Sequence, residues 1–129
     1  MALSTILAIL IAHYFSDFIM QSEEMAINKH KNEHALYVHV ALYSYCMILL
    51  LFIYNAFIGI FTFKLIIFWI VTFVTHYFID YYTSKIVNTK FTNKQYYTIL
   101  PNIGAFSMIG FDQLLHYIQL FVSYYFIML

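Results

Sequence analysis

Residues 35–79 read ALYVHVALYSYCMILLLFIYNAFIGIFTFKLIIFWIVTFVTHYFI and carry one full charge, Lys64. As a helix rising 1.5 Å per residue this stretch would be about 68 Å long, against a bilayer hydrocarbon core of about 30 Å. It is too long for one crossing and the right length for two. The turn between them is expected near Asn55–Thr62, where Asn55, Gly59 and Thr62 cluster. Working outward, the polar stretch SEEMAINKHKNE (22–33) lies before it, and NTKFTNKQYYTILPN (88–102), with the only Pro, lies after it. An apolar segment follows or precedes each polar stretch. The chain is therefore predicted to be a single all-α domain, a four-transmembrane-helix antiparallel bundle with helices at about 2–21, 34–54, 61–85 and 103–129.

Composition supports that reading. Of the 129 residues 64% are hydrophobic, 22% aromatic and only 9% charged, where an ordinary soluble domain has about 25% charged residues. Six acids and six Lys cannot cover the surface of a compact domain, so most of the outside must be apolar and face lipid. A net charge of zero with no Arg excludes a nucleic-acid partner, which calls for a basic stripe. Cys46 stands alone, which excludes an internal disulfide. Met1–Ala12 has neither a basic start nor a clear small-residue cleavage site, so it reads as a retained membrane helix. Lys29, Lys31, Lys85, Lys90 and Lys94 fall on the side of the two polar loops and only Lys64 on the other. By the positive-inside rule both loops are cytoplasmic and both termini lie outside the plasma (inner) membrane.

Each predicted helix holds one intramembrane His: His13, His39, His76 and His116. Three helices add an Asp four positions away, in HYFSD (13–17), HYFID (76–80) and DQLLH (112–116). Residues four apart lie on one helix face, so His13 and Asp17, His76 and Asp80, and Asp112 and His116 are two-pronged ligand sets. Measured from the loops, all four helices carry these residues about 7–14 Å deep, in one half of the bilayer. Polar and ionisable groups at that depth are expensive and usually functional, although interhelical hydrogen bonding is the structural alternative. Three buried carboxylates need compensating charge, and neutral imidazoles are metal ligands. The expectation is therefore one or two divalent ions, Zn first, then Mn or Fe, held by His13, Asp17, His39, His76, Asp80, Asp112 and His116. Gln21 and Gln113 would stand behind the ligands and orient them, while Asp17, Asp112 and Gln113 are the candidate catalytic groups. Lys29 and Lys85 are candidates to bind an anionic head group, against a plainer role as topology anchors. His30 and His34 read as loop residues in solvent, with His34 the one able to cap the cavity.

HYFSDFIMQ (13–21) with MAINK (25–29), HVALY (39–43), HYFIDYYTSK (76–85) and DQLLH (112–116) together resemble the family called domain of unknown function 3307, small bacterial and phage integral membrane proteins. The resemblance spans nearly the whole chain. It implies a polar signature of His13, Asp17, Gln21, Lys29, His39, His76, Asp80, Asp112, Gln113 and His116, and no established reaction. Lys85 departs from it, standing five residues after Asp80 where the family's Lys is expected closer.

The leading functional reading is a metal-dependent hydrolase acting on a lipid or lipid-linked, phosphorylated substrate from the cytoplasmic leaflet. The alternative class is a proton or metal-ion transporter or channel using the same residues, though the outer half of each helix is almost wholly apolar. Haem ligation by one His per helix, and a phage structural or lytic membrane factor, rank lower. A homodimer would suit a bundle this small, but no small-xxx-small run marks its interface.

Overall fold

The computed structural model describes residues 1–58 and 63–128. Among these the chain is all-α, with only an isolated bridge between Ile99 and Asn102 outside the helices. Helix α1 spans Leu3–Tyr14 and runs on as a π-helical turn, Phe15–Ile19. A short α2 (Glu23–Asn28) follows, then α3 (Glu33–Phe57), α4 (Lys64–Thr92) and α5 (Ala105–Met128). The four long elements close a ring: α1 packs on α3, α3 on α4, α4 on α5, and α5 returns to α1. Two of them, α3 and α4, are long and apolar enough to cross a membrane.

The helix bounds differ from expectation in instructive ways. Ser22 accepts a hydrogen bond from the Met25 backbone N–H and Asn32 from that of His34, so each starts a helix inside the first polar stretch. Helix α4 runs seven residues past Lys85 and ends at Thr92, with Lys94 in the left-handed region at φ 56° and the Gln95 N–H returning to the Lys90 carbonyl. Asn55 is buried within α3, while Gly59 and Thr62 of the expected turn lie outside the described residues.

One apolar cluster fills the end of the bundle remote from the polar loops. Among its buried members Ile9, Met47, Leu51, Leu65, Phe68 and Leu120 each lie one or more turns beyond the His of their own helix, while Ala12 and Tyr43 carry the cluster up to the His layer. The outside is apolar as well: Leu7, Ile11, Leu49, Ile53, Ile66, Ile70, Leu114 and Ile118 are all exposed.

The second polar loop is held by the start of α5. The Ala105 and Phe106 N–H groups, free of intrahelical partners at a helix start, donate to the Gln95 and Tyr96 carbonyls. The Gly104 N–H donates to Thr98 Oγ1. This close approach requires glycine, because a Cβ at Gly104 would run into the Tyr97 backbone, whereas one at Gly110 would meet nothing. Gly104→Ala is expected to destabilise the protein by about 1–3 kcal/mol through forced displacement of the loop. Gly110→Ala should instead stabilise it by about 0.5–1 kcal/mol through helix propensity, both read from thermal unfolding in detergent.

Candidate metal centre

Five of the seven expected ligands meet at the loop end of the bundle. His39 from α3, His76 and Asp80 from α4, His116 from α5 and Asp17 from the π turn are all buried. The π turn carries Asp17: its closing bond runs from the Met20 N–H to the Phe15 carbonyl, five residues back. His39 Nε2 lies 3.3 Å from Asp17 Oδ1, 3.0 Å from Asp80 Oδ2 and 3.4 Å from His76 Nε2. His76 Nε2 is 3.8 Å from Asp17 Oδ1 and 3.6 Å from Asp80 Oδ2, and His116 Nε2 is 3.2 Å from Asp80 Oδ1. A tetrahedral ion with bonds of about 2.0–2.2 Å spaces neighbouring donor atoms about 3.3–3.5 Å apart. The observed separations scatter around that value. Two ligand sets of the right size result, Asp17–His39–His76 and His76–Asp80–His116. They share His76 and therefore form one overlapping centre.

Two imidazole nitrogens facing each other at 3.4 Å suit a shared cation between them better than a hydrogen bond at the limit of its range. Asp17 Oδ1 points the same way, buried and without a hydrogen bond despite its two His neighbours. The rings are fixed from behind: Tyr43 stacks on His76 at 3.8 Å and His76 on His116 at 4.2 Å between centroids.

His13 and Asp112 lie in a surrounding layer. His13 Nδ1 bonds the Tyr43 hydroxyl at 2.9 Å and its Nε2 bonds Gln113 Oε1 at 2.9 Å, so both ring nitrogens are engaged by protein groups. Asp112 accepts from Thr83 Oγ1 at 2.5 Å and from Gln113 Nε2 at 3.0 Å, and stands 3.5 Å from His116. Gln113 Nε2 also donates to Asp17 Oδ2 at 3.1 Å, which makes this amide a three-way connector of His13, Asp17 and Asp112. Gln21 makes no hydrogen bond to these ligands among the described residues: it lines the adjoining cavity with its Oε1 buried and unpartnered.

The lysines separate. Lys29 follows α2 and turns into the bundle, its Nζ 2.9 Å from Asp80 Oδ2 and its side chain 18% exposed. Burial alone would pull the ammonium pKa down, but Asp80 beside it, helped by Asp17 and Asp112, outweighs burial and raises it above that of a free lysine. Lys85 lies 3.3 Å from the centre of the Tyr81 ring and has no place in the cavity wall. Of the two loop histidines, both expected in solvent, His34 is exposed, beside an apolar groove with Tyr37, Phe73 and Tyr77, and His30, rather than His34, borders the cavity.

A cavity of about 420 Å³ opens from the centre toward the polar loops. Asp17, Asp80, Asp112 and Gln113 form its floor, and α2 with the extended end of α4 forms its walls. Ser84 and Asn88 are cavity residues that sequence reasoning did not assign to the site. Thr83, seven residues or two helical turns after His76, continues the polar face of His76 and Asp80 into the cavity as its spacing implies.

Gln113→Leu is expected to cost about 2–4 kcal/mol, because two carboxylates and a buried imidazole lose their common partner. Gln119→Leu, which breaks only hydroxyl contacts of 3.1 and 3.4 Å, should cost less than about 1 kcal/mol. Equilibrium unfolding of the two variants side by side checks the ranking.

Comparison with known proteins gives a family and no further relative. No curated protein and no solved structure matches the chain. The model of a family described as protein of unknown function, DUF3307, matches residues 5–129. With that match covering nearly the whole chain and the His/Asp centre inside it, this protein belongs to the DUF3307 family.

Proposed function

We propose that the chain crosses the membrane four times and acts as a metal-dependent hydrolase on a lipid or lipid-linked substrate that enters from the cytoplasmic leaflet. The carrying observation is the charge of the centre. Buried Asp17 and Asp80, with Asp112 beside them at the cavity, stand against one ammonium, Lys29, so with neutral imidazoles two negative charges are left at the site. One divalent cation matches that deficit, and Asp17, His39, His76, Asp80 and His116 are the residues that would hold it. The apolar exterior on α1, α3, α4 and α5 supports four crossings, although only α3 and α4 meet the length and hydropathy of a span.

When bound, such an ion supplies Lewis acidity toward water and a substrate oxygen. The protein's own groups then have distinct tasks. Asp112 lies in the cavity floor with its side chain 14% exposed, placed to take a proton from an entering water. Thr83 and Gln113 orient that carboxylate, and Gln113 couples its position to Asp17. The cavity opens toward the polar loops and the apolar cluster packs beyond the His residues, which supports a substrate entering from the loop side.

A metal-free ion network, in which His39 and His116 carry protons and pair with the carboxylates, makes the opposite prediction for metal content. Detergent-purified wild type should hold about one ion per chain, Zn first, by elemental analysis. His76→Ala and Asp80→Asn should each weaken retention at least about 100-fold, beyond the 10–100-fold typical of losing a group behind the ligands. Wild type without tightly bound metal, or variants that keep it, would refute the proposal.

A further inference from the structure

The walls of the cavity differ from its floor in charge and in hydrogen-bonding state. The floor is acidic, with Asp17, Asp80 and Asp112, and Lys29 is already committed to Asp80. The outer wall is basic and donor-rich: it is lined by His30 and Lys31 from the connection after α2 and by Ser84 and Asn88 from the last turns of α4. Lys31 makes no ion pair among the described residues. His30 Nε2 and Ser84 Oγ are buried in this wall without a hydrogen-bond partner. With Asp17 Oδ1 and Gln21 Oε1 of the floor and inner wall they make four unpartnered polar atoms around one cavity, which is unusual because each costs about 1–3 kcal/mol when left unsatisfied.

We infer that His30, Lys31, Ser84 and Asn88 form a phosphate subsite, which holds the phosphoryl group of a phosphate ester beside the metal centre. A phosphate presents acceptor oxygens on several sides and a negative charge, the complement of a hydroxyl, an amide, an imidazole and a free ammonium grouped around one space. The volume falls within the range of small-molecule sites, and Phe18, Ile27, Val87, Phe91 and Ile109 supply an apolar surface for the organic part of the ester. The acidic floor would repel the same anion, so the ester is held at the wall with its phosphorus toward the centre. The inference rests on the proposed hydrolase reading for its catalytic meaning. Its binding chemistry stands independently.

The test uses the full chain purified in detergent, with bound metal measured on every sample. Inorganic phosphate and a short-chain phosphatidic acid are titrated separately by calorimetry into wild type, Lys31→Met and Ser84→Ala. Wild type should bind at least one of the two saturably. Each variant should bind about tenfold more weakly, the loss of one charge-assisted hydrogen bond, with metal content unchanged. Binding of inorganic phosphate supports a subsite that takes soluble phosphates, and binding of phosphatidic acid alone supports one that takes a lipid head group. No binding to wild type, or equal binding by both variants, overturns the inference, and retained metal in those samples leaves the hydrolase proposal standing. Binding that depends on Lys31 and Ser84 in a protein without metal supports the subsite and overturns the metal centre.

Discussion

Burying two carboxylates, Asp17 and Asp80, among helices with a third, Asp112, beside them at the cavity is the constraint from which the rest of this structure follows. A lone ionised carboxylate taken out of water costs several kcal/mol, so each must find donors or cations within reach. Asp80 finds His39, His76, His116 and Lys29; Asp17 finds His39 and Gln113; Asp112 finds Thr83, Gln113 and His116. These partners come from α3, α4, α5 and the segment after α2, so satisfying the charges and assembling the bundle are the same event. An apolar surface gives the helices little reason to prefer one register over another. The polar contacts supply that reason.

The π turn and α2 are local consequences of the same demand. A π-helical turn shifts hydrogen bonding from four residues back to five at Phe15–Ile19, which aims Asp17 inward while the hydrophobic faces on either side still meet their neighbours. Immediately afterwards, α2 forms a wall of the cavity and the residue that follows it, Lys29, reaches Asp80. A surface ion pair is worth little, but this one lies where water is scarce and its charges are not screened.

Much of this was legible in the residues. The single charge between Ala35 and Ile79 exposed two long helices, and the repeated four-residue spacing of His and Asp exposed a shared face on three helices. Equal depth from the loops was enough to anticipate their convergence, since helical rise converts sequence distance directly into height. Fold-back was not legible. Whether Lys29 reaches into the bundle, and whether His30 or His34 faces the cavity, depends on how the chain leaves α2, which no helical periodicity encodes. The division of the ligands into an inner five and an outer His13 and Asp112 was equally hidden, because all share a face and depth and differ only in tertiary hydrogen bonds such as those of Tyr43 and Gln113. The end of α4 was misplaced for a related reason: Asn88–Thr92 is polar, yet one side of that helix still packs against the cavity and α5.

Asp80 uses its two oxygens differently, Oδ1 toward His116 and Oδ2 toward His39, His76 and Lys29. A side chain with so many partners makes their energetic contributions inseparable, and effects measured one residue at a time will not add. Any change to one partner alters the geometry in which the others are tested. For natural variation this means that drift at these positions is tied: a replacement at His39, His116 or Lys29 is tolerated only in combination with a matching replacement elsewhere in the set. The centre is expected to vary as a block, with the loop-borne Lys29 included in it.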